Sequence, residues 1–136
     1  MKISDFNITG KPIPEDVVDK IEEFHLQPLR FVNACVPFDV WVSAKSGYRP
    51  RWYELERGRN GNSQHCFKGK GAVDITCENF KENKEALIEV LVDETQYSRI
   101  TIYNTFLHLD YAIQDERWLF DSRWRRIKRL DDVPVE

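Results

Sequence analysis

Hydrophobic and polar positions alternate in two clearly different rhythms along this chain. In the N-terminal third, Val17, Val18, Ile21 and Phe24 recur at helical spacing behind Pro14-Glu15-Asp16. A proline followed by acids suits a first helical turn, where the macrodipole favours negative charge. Pro28 is expected to open a second helix with Leu29, Val32 and Cys35 turned inward. The strongest helical pattern runs from Phe80 to Val92, with Leu87, Ile88 and Leu91 on one face.

The other rhythm has a period of two. Asp39 to Ala44, Gly71 to Thr76, Arg99 to Tyr103 and Phe106 to Tyr111 read as strands, the last two joined through Asn104-Thr105 as a hairpin. Arg117 to Phe120 adds a last strand, and Ile3 to Phe6 reads as a short edge strand. Ser46 to Pro50 punctuates the first strand, Arg51 to Arg57 fits a short helix, and Arg57 to Asn62 is a polar loop with an Asn-Gly turn. Helices first and a mostly antiparallel sheet afterwards make the expected class α+β, with N-terminal helices and one central helix.

Length and composition narrow the setting. The 136 residues fit one domain, 1–136, that can bury a core without disulfides or a structural metal. A net charge of −3 gives no reason to expect nucleic acid as the main partner. The run Arg123 to Arg129 is locally basic; it reads as a solvated strand and tail, or as a contact for an anionic polymer such as a cell wall. Three cysteines, Cys35, Cys66 and Cys77, do not form a disulfide framework and fit reduced thiols. The N-terminus lacks the apolar stretch of a signal peptide and no segment is apolar enough to span a membrane. The expectation is a monomer made in the cytoplasm.

The candidate chemistry lies in the histidines. A hydrolytic zinc site needs three His, Asp or Glu ligands and an open position. There are three histidines: His25, His65 and His108. His25, beside Leu26, is expected to be a surface residue at a helix end. His65 closes a glycine-containing loop. Asp74 stands between Val73 and Ile75, and His108 between Leu107 and Leu109, so each points away from its apolar neighbours. Together the three could hold Zn²⁺. They could equally be a loop histidine, a turn-facing carboxylate and a hydrogen-bonded sheet residue, and spacing alone leaves both readings open.

Several segments narrow the choice. Leu26 to Arg30, Ser46-Gly47-Tyr48-Arg49, Ser63-Gln64-His65, Gly71 to Ile75 and Phe106 to Asp110 occur in an order that resembles the D-Ala-D-Ala carboxypeptidase family of zinc peptidases. That clan includes VanY-type enzymes and many phage endolysins. The resemblance implies a hedgehog/DD-peptidase fold, Zn²⁺ held by His65, Asp74 and His108, and hydrolysis of a peptide bond in bacterial peptidoglycan as carboxypeptidase or endopeptidase. It also implies delivery to the cell wall after synthesis, with a phage origin in keeping with the missing leader. Arg49 is then a catalytic and substrate-binding residue that stabilises charge on the scissile carbonyl. Ser63 binds substrate or positions its loop, and Tyr48 and Trp52 are candidates to line the cleft.

Two departures stand out. Lys70 occupies a place where the family has glycine, which implies a small insertion at Cys66-Phe67-Lys68 and brings Cys66 near the metal. Thr105 occupies the place of the family's catalytic carboxylate. Asp110, two residues after His108 and on the same strand face, is the expected substitute, either as general base or as the partner that orients His108. A zinc-containing module that binds cell wall or serves in a virion without catalysis is the alternative function, as the likeness to the hedgehog signalling domain suggests.

Overall fold

The computed structural model describes residues 1–44 and 46–130 of the chain; residues 131–136 of the expected domain lie outside the described residues. The N-terminal helical run holds one surprise. Helix α1 (Glu15–Ile21) does not stop before Pro28 but passes through a π-helical segment (Glu22–Leu26) into α2 (Gln27–Cys35). A proline inside a helix leaves the carbonyl four residues earlier without its donor. Here that carbonyl, Phe24 O, accepts the Tyr111 hydroxyl at 2.6 Å. Pro28 does stand in the first turn of α2, as expected, but the wider π turn and this replacement donor carry the winding into α2 without a break.

The continuous winding changes which side chains face inward. Val17, Ile21, Leu26, Leu29 and Val32 are buried, whereas Cys35, expected inside, is exposed at the helix end. His25, expected on the surface, is fully buried. Ile3–Phe6 is a 3₁₀ helix rather than an edge strand. Its buried Phe6 offers its carbonyl to the Tyr48 N–H at 2.9 Å, in place of a strand ladder.

The sheet has six strands: β1 (Val40–Val42), β2 (Ala72–Cys77), β3 (Arg99–Ile102), β4 (Leu107–Asp110), β5 (Trp118–Phe120) and β6 (Arg126–Arg129). Their order is β1-β2-β4-β3-β5-β6, antiparallel except where β5 runs parallel to β3. The protein is therefore α+β with a mostly antiparallel sheet, as the periodicities predict. The basic run supplies β6, an exposed edge strand. Helix α3 (Arg51–Glu56) is the short helix expected there, and α4 (Phe80–Glu94) is the long one.

Alternation along the strands sorts the side chains. Val73, Ile75, Ile100, Leu107 and Leu109 join Leu29, Val32, Leu87 and Leu91 in one apolar cluster. Asp74, His108 and Thr101 share the opposite face, because Asp74 pairs with His108 and His108 with Thr101 in register. One hydrophobic face fixes the register of the sheet, and that register brings the polar residues side by side.

Candidate metal centre

His65 reaches the sheet from a 3₁₀ turn, Gln64–Cys66. Ser63 caps that turn, its hydroxyl accepting the His65 N–H at 3.2 Å. The loop is tied to the Arg49 segment by the Arg49 N–H donating to His65 O at 2.8 Å. Two glycines allow this packing. A Cβ on Gly47 would lie 2.4 Å from the Phe6 backbone, and a Cβ on Gly71 would lie 2.2 Å from the buried Phe67 ring. Gly71 also has φ +83°, a conformation that costs glycine least. The residues read as an insertion, Cys66-Phe67-Lys68, therefore fold inward through Phe67, which adopts φ 58°.

The result is a triangle of donor atoms. His65 Nε2 lies 3.3 Å from His108 Nδ1 and 3.4 Å from Asp74 Oδ1, and His108 Nδ1 lies 2.9 Å from Asp74 Oδ1. Donors around tetrahedral zinc, bound at about 2.0–2.1 Å, stand roughly 3.3 Å apart. All three residues are buried. The far nitrogen of each imidazole is committed elsewhere. His65 Nδ1 donates to Gly47 O at 2.9 Å, since a carbonyl can only accept, which leaves Nε2 as the free lone pair of the neutral ring. His108 Nε2 donates to Asp110 Oδ2 at 2.6 Å, which frees Nδ1 in the same way. Such outer partners fix tautomer and ring orientation at metal sites.

Asp110 is in turn held by Arg99, whose Nε and Nη2 donate to the carboxylate at 2.7–3.0 Å, and by the Ala112 N–H at 2.9 Å. The electrostatics favour a cation. Burial raises the Asp74 pKa, but in the metal-free cluster hydrogen bonds from His108 and His65, made when those rings carry a proton on the nitrogen facing Asp74, outweigh it and hold the carboxyl well below the usual range. Burial lowers the His108 pKa, yet its bonds to Asp110 and Asp74 leave it raised overall. Asp110 is likewise lowered against its own burial by His108 and Arg99. The cluster demands positive charge between its carboxylates, and the donor set of two imidazoles and one carboxylate suits a divalent metal.

The triangle opens into a cleft of about 470 Å³ lined by Arg49, Ser63, Gln64, Arg99, Tyr103, Phe106 and Trp124 among others. Arg49 therefore borders the same cleft as the three donors. Its Nη1 stands 3.8 Å from Glu54, a carboxylate buried on α3 that also pairs with Arg59. Ser63 borders the cleft and positions the loop. Asp110 takes the orienting role rather than that of a base: it is fully buried, and both its oxygens are occupied beside the nitrogen of His108 that faces away from the triangle.

Two expected cleft residues lie elsewhere. Tyr48 packs edge-on against Phe67 and, with Trp52, borders a separate groove at Lys11 and Pro12. Its backbone is fixed by Phe6, which carries the ring out of reach of the ligands while leaving Gly47 and Arg49 beside them. Trp52 is 41% exposed with the Lys11 ammonium 4.5 Å from its ring. Cys66 does not join the ligand cluster found among the described residues. Thr105 is exposed, with its carbonyl accepting the Thr76 hydroxyl.

The sequence reading missed Arg99, Trp124 and the burial of His25. Arg99 is the register partner of Asp110, a relation visible only once strands are paired. His25 did carry a local signal: it lies four residues after Ile21 and four before Leu29, on the inward stripe. It is held by Tyr97 at 2.9 Å and Lys70 O at 2.8 Å. No protein-family model, curated protein or solved structure matches the chain.

Proposed function

We propose that this protein is a zinc hydrolase of the D-Ala-D-Ala carboxypeptidase type, with the hedgehog/DD-peptidase fold, acting on a peptide bond of bacterial peptidoglycan. The observation that carries the reading is the buried donor triangle of His65, Asp74 and His108, opening into a cleft that also holds Arg49. The substrate class rests on the ordered segments around Arg49, His65, Asp74 and His108. Zinc held there supplies Lewis acidity, which polarises a carbonyl and lowers the pKa of water.

The chain's own groups do the rest. Asp110 and Gly47 O fix the two imidazoles, so the ligands are aligned before anything binds. Arg49 presents a permanently charged guanidinium to the cleft, suited to oxygen that gains negative charge as an amide is attacked. Glu54 steadies that guanidinium without neutralising it, since Glu54 is shared with Arg59.

A specific observation favours a second reading, a zinc-containing module that binds cell wall without cutting it. Among the described residues, the cleft lining includes no carboxylate besides the ligand Asp74, so it offers no carboxylate base; Tyr103 is the one lining residue outside the ligand set with a phenolic proton to exchange. One experiment separates the two. The purified protein is assayed for bound zinc and then incubated with peptidoglycan, and released fragments are identified by mass spectrometry. One zinc per chain with fragment release, both lost in His108→Ala, supports the hydrolase. One zinc with no release from any cell-wall preparation supports the binding module, and no zinc refutes both.

A further inference from the structure

The metal cleft does not end at its own walls. Gln64 lines it and also lines a neighbouring hollow of about 820 Å³. That hollow shares Lys70, Gln96 and Tyr111 with a further one of about 480 Å³ that reaches α2. Set in series, the three make a path from the metal centre to Phe31, a ring 54% exposed at the far end. Gly69 and Lys70 form part of its wall, directly after Cys66-Phe67-Lys68, where the chain departs from the zinc-peptidase pattern.

The side chains on this path share one chemistry. The chain has four glutamines, Gln27, Gln64, Gln96 and Gln114, and all four line it. None of these carboxamides makes a hydrogen bond among the described residues, so each keeps donors and an acceptor for a ligand. The charged groups of the two outer hollows are Lys70 against Asp115, Glu23 and Glu94, a balance that turns away polyanions. Lys70 reaches across two rings, its ammonium 5.0 Å from the Phe24 centroid and 5.2 Å from that of Tyr111.

The walls are fixed in advance. Tyr111 donates its hydroxyl to Phe24 O at 2.6 Å and stacks on Tyr97 at 4.6 Å. The loop that carries Gln114 is pinned by the Ala112 N–H on Asp110 Oδ1 at 2.9 Å and the Ile113 N–H on Ser98 Oγ at 3.1 Å. A wall already ordered lowers the cost of binding. The outermost strands of the sheet, β1 and β6, contribute no residue to the two outer hollows, so no backbone ladder is offered there to an extended peptide.

We propose that this path is a binding site for a neutral, N-acetylated glycan strand. Carboxamides match acetamido groups and hydroxyls, which both donate and accept, and aromatic rings suit the apolar faces of pyranose units. The choice of glycan rests on the peptidoglycan reading: the strand lies along the outer hollows while a stem peptide attached to it passes Gln64 into the metal cleft.

The test titrates the isotope-labelled full chain, in zinc-containing buffer, with the tetramer of N-acetylglucosamine and follows side-chain amide signals by NMR. Cellotetraose, which has the same backbone without acetamido groups, is the control. The Gln96 and Gln114 carboxamide signals should shift saturably with the acetylated tetramer, and cellotetraose should bind about tenfold more weakly. Both side chains are exposed, so their replacement spares the core. The double substitution Gln96→Ala, Gln114→Ala should weaken binding about tenfold, the worth of one or two neutral hydrogen bonds, with zinc content and melting temperature unchanged. Absence of saturable binding, shifts confined to other surfaces, equal binding of the two tetramers, or undiminished binding by the double variant would each overturn the site. Binding of the acetylated tetramer by a protein that releases nothing from peptidoglycan sinks the hydrolase reading and leaves the glycan site standing. Fragment release without tetramer binding does the reverse.

Discussion

Buried His25 makes the stability of this protein depend on pH between the ordinary histidine value of 6.5 and about 4. Burial, its largest influence, lowers the pKa from 6.5 to about 4, although the Lys70 carbonyl works the other way. Because Lys70 O can only accept, Nε2 carries the proton of the neutral ring and Nδ1 accepts the Tyr97 hydroxyl. A second proton would turn the Tyr97 hydroxyl from donor to acceptor and bury a charge among Phe6, Phe67 and Tyr111. Between pH 6.5 and about 4 the unfolded chain binds a proton at His25 that the folded chain does not, so stability falls as pH falls. At roughly 1.4 kcal/mol per pKa unit, the full loss is about 3 kcal/mol. Other shifted groups act elsewhere: Asp74 and Asp110 lose their contribution below 3.8, and His108, raised, loses its contribution above 6.5. Urea unfolding of the wild type and His25→Gln, both metal-free, from pH 7 to 4 isolates the effect. The wild-type advantage should shrink steadily over that range, by more than about 1 M in midpoint for a domain of this size. A difference that stays constant from pH 7 to 4 would show that His25 already titrates normally in the folded protein and would refute the reasoning.

Asp110→Asn should weaken zinc binding by about 10–100-fold, because the carboxylate that orients His108 also anchors Arg99; competition with a chromophoric chelator measures this, and unchanged affinity would remove Asp110 from the site. Arg49→Ala should keep one zinc per chain while lowering the cleavage rate by about 10²–10³-fold, as loss of an oxyanion donor does elsewhere; loss of the metal instead would make Arg49 structural. Thr101 Oγ1 is buried without a hydrogen-bond partner among the described residues. Thr101→Val should therefore be neutral or stabilising by about 1 kcal/mol in thermal melts, and marked destabilisation would reveal a bonded hydroxyl.

How much of this was legible depended on whether the signal was local. Alternation marked β2, β3 and β4 and showed that Asp74 and His108 face away from apolar neighbours, which is a property of each strand by itself. That Asp74 sits directly opposite His108 is a property of pairing, and only the packing of Val73, Ile75, Leu107 and Leu109 into the core sets it. The same limit hid Arg99, whose role arises from facing Asp110 across β3 and β4. The misplaced N-terminal details share another cause. Pro28 is a helix breaker by local rules, and the donor that offsets it, Tyr111, is 87 residues away from Phe24. With the helix broken at Pro28, His25 looked terminal. With the helix continuous, it belongs to the buried stripe. Trp124 carried no local signal, since its left-handed backbone is imposed by the Asp121 turn.

The charges around the centre give the arrangement its direction. Asp74 and Asp110 bring two negative charges into a buried space, and Arg99 returns one positive charge, so with neutral imidazoles the cluster is left one charge short of balance. A single proton shared with His108 would close that gap, which is why its pKa is raised. A divalent cation on the three donors would overshoot it by one and turn the buried cluster net positive beside Arg49. Because the imidazoles are already oriented by Gly47 O and Asp110, that excess faces the cleft rather than the core. With a divalent ion on the three donors, the site would attract anionic groups more strongly than without it. The same cleft without it holds two guanidiniums, each partly compensated by Glu54 or Asp110. This coupling links metal binding to recognition of negative oxygen, the property that hydrolysis of an amide requires.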